Sequence, residues 1–268
     1  MRVGRREGRR ILIDYMNINQ EIKKLEQQLK KFADKKRAQQ EKNYLKSPFK
    51  FFGVETGQKR ELVKDFISNN KSLNKKDVWA LVDKMWNSEQ HDFRSMAIDL
   101  LRGYDKLLDY SDLAKIKKML DTSVGWDQVD EISAHLVGAI LAKDQRVYQD
   151  LKKWSREKNF WLRRASLLSQ IILFRKEKGD RELFYKLATK MMDESWQNFS
   201  SWAKNYDEKM GRFFIRKAIG WVLREMSKNY PQEIFQFLQK NKNKMHSLSF
   251  REGGRKLPDK YKKKLGIK

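Results

Sequence analysis

The chain of 268 residues carries 60 Lys+Arg against 35 Asp+Glu, a formal net charge of +25, with no cysteine and three histidines. That balance excludes a disulfide framework, an iron–sulfur cluster and a thiol nucleophile, argues against a protein metal site at the scattered His91, His135 and His246, and calls for a polyanionic partner, nucleic acid first. No apolar run approaches the roughly 20 residues of a spanning helix and no segment reads as a cleaved signal, so the expected address is a reducing cytoplasm with no membrane partner.

Three prolines and 13 glycines leave few places for hairpin turns, and no sustained two-residue alternation appears, which predicts an all-α chain. Residues 1–10, MRVGRREGRR, read as a flexible basic arm. A helix is expected next, with Ile22, Leu25, Leu29 and Phe32 at helical spacing and Lys or Arg between them. Its basic side is either a solvated face or a second surface that tracks phosphates. The segment from Lys46 to Gly53 ends this region in an aromatic-rich turn. From about residue 59 helix follows helix, and a signature recurs: an aromatic residue, an alanine four later, then an aliphatic stripe. It occurs at Phe93–Ala97, Trp161–Ala165 and Phe214–Ala218, at intervals of 68 and 53 residues. Small Ala lets helices approach closely, so the pattern predicts stacked helix pairs: a HEAT-like helical repeat solenoid with a concave, basic DNA-binding face. Residues 193–209 interrupt the spacing as an insertion or a longer connection. Beyond Leu257-Pro258 the tail DKYKKKLGIK is expected to be basic and mobile. The expected division is a basic arm and helix over 1–43, the helical-repeat domain over 44–257 and the tail over 258–268.

Three clusters depart from the rules of their helices. In GWDQVDEI, Asp127, Asp130 and Glu131 invert the local charge. Acids in a first helical turn, capped by Thr122 or Ser123, account for Asp127 and Glu131. They account less well for Asp130, which shares a face with Trp126 and lies to the side of the stripe Val129, Ile132, Leu136 and Ile140. In NFWLRRASLLSQI, Arg163 shares a face with Asn159, Ser166 and Gln170 and reads as exposed. Arg164 falls among Phe160, Leu167, Leu168 and Ile171, where it needs an anion, either a carboxylate or a DNA phosphate. In RFFIRKAIGWVLRE, Ile215, Ala218, Ile219, Val222, Leu223 and Met226 form the buried stripe. Trp221 lies off it beside Phe214, Lys217 and Arg224, a neighbourhood that suits either a core edge or nucleic-acid contact.

These motifs, with FKFFGVETGQKRELVK, MAIDLL and the closing LSFRE, resemble the DNA alkylation repair family, the AlkD-like HEAT-repeat DNA glycosylases, from about Tyr44 to Arg251. The resemblance implies a monomeric glycosylase of base excision repair that needs no cofactor or metal. Its substrate would be duplex DNA containing cationic N3- or N7-alkylated purines, in the cytoplasm and on the nucleoid of a prokaryote. It implies that Asp130, Trp126 and Trp221 are the catalytic set and that Arg164 contacts a phosphate, with Arg163, Phe214, Lys217 and Arg224 around it in the DNA-binding set. The family commonly has another aromatic where this chain has Gly125, and residues 1–42 and 193–209 exceed its compact pattern. The competing expectation is a non-enzymatic scaffold for damaged or branched DNA or structured RNA. A retained Asp130 facing phosphates argues against it by Coulomb repulsion.

Overall fold

A computed structural model describes residues 17–194 and 206–267; the expected arm at 1–10 and most of the 193–209 segment lie outside them. The first five helices are α1 (Ile18–Lys31), α2 (Lys35–Leu45), α3 (Thr56–Asn69), α4 (Lys75–Trp86) and α5 (His91–Gly103). Two 3-10 turns precede α6 (Leu113–Asp121). A continuous helical run follows, made of α7 (Trp126–Glu131), a π-helical turn over Ile132–Val137, and α8 (Gly138–Leu141). Then come α9 (Val147–Trp154), α10 (Phe160–Leu168), α11 (Ile171–Arg175), α12 (Arg181–Met192), α13 (Glu208–Met226), α14 (Pro231–Asn241), α15 (Ser247–Gly254) and α16 (Asp259–Leu265). No strand occurs among the described residues, and the chain is an all-α helical-repeat solenoid. No described helix is long and apolar enough to cross a membrane.

The helix starts follow local chemistry. Asn17, Asp34, Asn74, Asn159, Asp180 and Asp207 each accept a backbone N–H of the helix they open, which satisfies donors that a helix leaves free at its first turn. All three aromatic–alanine pairs are buried, on α5, α10 and α13. Two apolar clusters result, one running from α1 through α10 to Phe214 of α13 and one from Ala134 through α10 to α16, so α10 carries core residues of both.

The basic helices at both ends of the described residues are more integrated than their composition suggests. Leu25 and Leu29 of α1 are buried in the first cluster, whereas Phe32 is exposed. The tail corrects the expectation of mobility: it forms α16, with Leu257 and Leu265 buried and Tyr261 stacked on Phe235 at 4.6 Å. Tyr261 and Leu265 stand four apart, one face of a helix, and the lysines between them take the solvent side.

Helices α13 and α15 cross closely because Gly220 has no side chain. A Cβ there would lie 2.7 Å from Glu252 Cβ and 3.1 Å from the Ser249 carbonyl. Gly220→Ala should therefore force the helices apart and cost about 1–3 kcal/mol. Thermal denaturation checks this, and an unchanged Tm would show that the crossing tolerates a methyl group.

Candidate active site

Between α2, α3, α5, α7 and α13 lies an open cleft of about 380 Å³, lined by Tyr44, Thr56, Arg60, His91, Asp99, Trp126, Asp127, Asp130, Glu131 and Trp221 among others. Sequence reasoning singled out three of its side chains, and the fold brings them together from two distant helices. Trp126 opens α7, Asp130 sits one turn further, and Trp221 arrives from α13, half-buried against the second apolar cluster.

Asp130 is fixed from beneath. Arg164 Nε donates to Asp130 Oδ1 at 2.6 Å and Nη2 donates to Oδ2 at 2.7 Å, a bidentate pair with both side chains largely buried, 13% and 5% exposed. Arg164 Nη1 donates to the carbonyl of Phe214 at 2.5 Å, so all three guanidinium nitrogens are engaged. The anion that Arg164 required is thus a carboxylate, and its buried guanidinium does not line the cleft. Burial pushes the Asp130 carboxyl above its usual range; Arg164 pulls against this, and the like charges of Asp127 and Glu131 add to it.

The rest of the expected DNA-binding set lies elsewhere. Phe214 is buried, stacked on Phe160 and packed with Trp161 and Tyr206 in an aromatic raft under Arg164. The face expected to be exposed around Arg163 is instead inward: Asn159, Ser166 and Gln170 are buried. Arg163, half-buried, donates to the carbonyls of Ser155, Arg156 and Glu157, closing the end of α9. Arg224 pairs with Glu252 on α15, and Lys217 is half-buried outside the cleft lining. Phe214, Lys217 and Arg224 share a side of α13 with Trp221, but none of them lines the cleft.

Four features escaped the sequence. Tyr44, 74% exposed at the end of α2, sets its ring edge-on to Trp126 at 6.1 Å. His91 Nε2 lies 2.8 Å from Asp127 Oδ2 with its ring stacked on Phe51 at 4.4 Å. Glu131 is shared by Arg60, Arg102 and His135 at 3.3, 3.4 and 3.5 Å. Asp99, whose carboxyl is also raised by burial, pairs with Arg60 at 3.5 Å. Asp127 and Glu131 carried a signal as part of the local charge inversion, and Tyr44 as the one aromatic of α2; the partners of these residues carried none. The cap also differs from expectation: Gly125 occupies that position, while the hydroxyls of Thr122 and Ser123 turn back to α6.

The cleft floor is therefore richer in carboxylates (Glu41, Asp99, Asp127, Asp130 and Glu131) than in the cations Lys59 and Arg60. Most of these acids have a cationic or histidine neighbour, and Lys59 is itself taken by buried Asp92. Among the described residues no group of three His, Cys, Asp or Glu side chains is arranged to hold a metal.

A helical-repeat protein whose cleft holds an arginine-clamped buried carboxylate and two tryptophans is the class that fold and site define. The profile of the family described as DNA alkylation repair enzyme matches residues 25–257, most of the chain, and the protein belongs to that family. A similar solved structure is a predicted DNA alkylation repair enzyme from Enterococcus faecalis, with a TM-score of 0.71 and 23% identity over 85% of this chain and 97% of that one. No curated protein matches the chain significantly.

Two outcomes are expected. A carbon-13 NMR titration of Asp130 should give a midpoint above the ~3.9 of an ordinary aspartate. Glu131→Gln should move that midpoint down, because it removes a like charge and releases Arg60 and Arg102; an upward shift would refute the electrostatic assignment. Arg164→Met should strand a buried carboxylate at a cost of about 3–5 kcal/mol, read by urea unfolding, and Arg164→Met with Asp130→Asn should recover part of it.

Proposed function

We propose that the protein hydrolyses the N-glycosidic bond of cationic N3- or N7-alkylated purines in duplex DNA, with Asp130 as the catalytic carboxylate. The observation that carries this reading is a carboxylate fixed in two directions by Arg164 and flanked by Trp126 and Trp221. Alkylation gives the purine a positive charge, so it leaves as a neutral base and no strong general acid is needed. Positive charge develops on the deoxyribose instead, as an oxocarbenium-like species. Asp130 lies where it stabilises that charge, and its cleft-side lone pairs orient the attacking water and accept its proton. The water oxygen bonds to C1′ as the bond from C1′ to the base nitrogen breaks.

Arg164 acts in this scheme as a positioning residue. It cancels part of the carboxylate's charge, which makes burial tolerable, and it stops the side chain from rotating toward solvent. Trp126, braced by the edge of Tyr44, and Trp221 offer π faces to a cationic sugar or base. The acid-rich floor favours a cationic lesion over a neutral purine, and the chain's net charge of +25 attracts the duplex as a whole.

Asp130→Asn should lower release of 7-methylguanine or 3-methyladenine from methylated duplex DNA by about 10²–10³-fold. Free base is measured by chromatography, with affinity for undamaged duplex and circular dichroism as controls for folding. Wild-type protein that binds methylated DNA and releases no base would instead support a scaffold role, in which the ion pair of Asp130 and Arg164 is structural alone.

A further inference from the structure

Outside the candidate active site, one buried cation has no anion. Arg94 of α5 is 5% exposed, with its guanidinium between the rings of Trp86 at 3.9 Å and Phe49 at 4.6 Å. Its Nη2 donates to the carbonyl of Thr122 at 2.7 Å, its Nε is buried with no hydrogen-bond partner, and no carboxylate among the described residues pairs with it. Burial lowers its pKa to about 10, and Asp127 opposes that shift.

Arg94 opens onto a pocket of about 400 Å³ walled by Phe49, Trp79 and Trp86. Two further cations line it: Lys115, exposed and 4.7 Å above the Trp79 ring, and Lys118, exposed in the last turn of α6. Two exposed carboxylates also line it, Asp83 and Glu89, and Glu89 stands 3.6 Å from Lys50. Capping the end of α6 would use only Nη2 of Arg94. It does not explain an unsatisfied Nε held flat between two rings, with two more cations converging on the same space. Its Nη1 makes no hydrogen bond among the described residues, and a planar guanidinium with a free donor is suited to a phosphate oxygen, with stacking to pre-orient it.

We propose that this pocket is a phosphate subsite in which Arg94, Lys115 and Lys118 hold a backbone phosphate of the duplex bound at the cleft. The inference rests on the reading of the cleft as a DNA site, and it does not depend on base release. The reach is right. Thr122, which holds Arg94, precedes Trp126 by four residues, at most about 15 Å of extended chain. One strand of B-DNA advances roughly 3.4 Å per nucleotide, so a span of that length corresponds to about four nucleotides of one strand.

The test is the salt dependence of affinity for an undamaged duplex, measured by fluorescence anisotropy between 50 and 200 mM salt, roughly the range over which phosphate contacts are read. The double variant Lys115→Gln with Lys118→Gln alters only exposed side chains. It should weaken binding several-fold and lower the slope of log K against log salt by roughly 1–2, and Arg94→Met should lower it by roughly 1. Should Arg94→Met fail to fold, the lysine variant decides alone. An unchanged slope in the lysine variant overturns the proposal. Inorganic phosphate is a separate arm at constant ionic strength: if it raises the Tm of wild type but not of the lysine variant while the DNA slope stays the same, the pocket takes a free phosphate species and the DNA assignment falls. A wild-type protein that releases no base yet shows the slope change would sink the glycosylase reading and leave this one standing.

Discussion

One guanidinium holds the site together. Arg164 reaches from α10 to Asp130 on α7 and to the Phe214 carbonyl on α13, so three helices from both apolar clusters meet at a single charged group. A buried cation is tolerable there only because its donors are all used, and a buried carboxylate only because the cation is bidentate. Neither side chain can move alone without leaving a charge unpaired in a low-dielectric interior. Beneath them the raft of Phe160, Trp161, Tyr206 and Phe214 gives a rigid aromatic floor, and the Tyr206 hydroxyl donates to the Leu45 carbonyl at the end of α2.

This arrangement resolves a tension in the composition. A net charge of +25 suggests a basic binding face, yet carboxylates outnumber cations in the cleft lining. The two serve different ranges. A large positive charge acts over about a Debye length, roughly 8–10 Å at ordinary ionic strength, and gathers a polyanion from solution. In the proposed reaction the carboxylates act at contact, where local charge decides which sugar or base is stabilised. Each acid has an arginine or histidine nearby, which lowers the repulsion the floor would exert on the phosphates of the proposed substrate.

Much of this was legible in the residues. Helix content, the close-packing alanines and the buried stripes follow from periodicity, and the i,i+4 face of Trp126 and Asp130 follows from spacing in one helix. Arg164's demand for an anion followed from its apolar neighbours. The identity of that anion did not, because Asp130 lies 34 residues away on another helix. The same limit explains Asn159, Ser166 and Gln170: α10 is covered on two sides, so its polar face is buried as well as its apolar one. Lysine density hid α16, since composition averages over the one face that packs. The π-helical turn just after Asp130, where one extra residue per turn shifts the register of every later side chain, has no signature in the pattern.

Gly125 belongs to the same logic. A Cβ at that position would lie 2.4 Å from Asp127 Oδ1, an oxygen that is buried and has no hydrogen-bond partner. The absent side chain is what lets Asp127 turn back over the start of α7 and keep its other oxygen against His91. An aromatic there would compete with Asp127 for this space, and would break its contact with His91 or tilt Trp126. In its place Tyr44 supplies an edge-on ring from α2, from the solvent side of the cleft rather than from within the helix. Trp126 thus keeps an aromatic brace while the base of α7 becomes polar and titratable. With Gly125 at the cap, Trp126 takes its aromatic support from α2 and Asp127 stays on the cleft floor, where its charge also raises the Asp130 carboxyl.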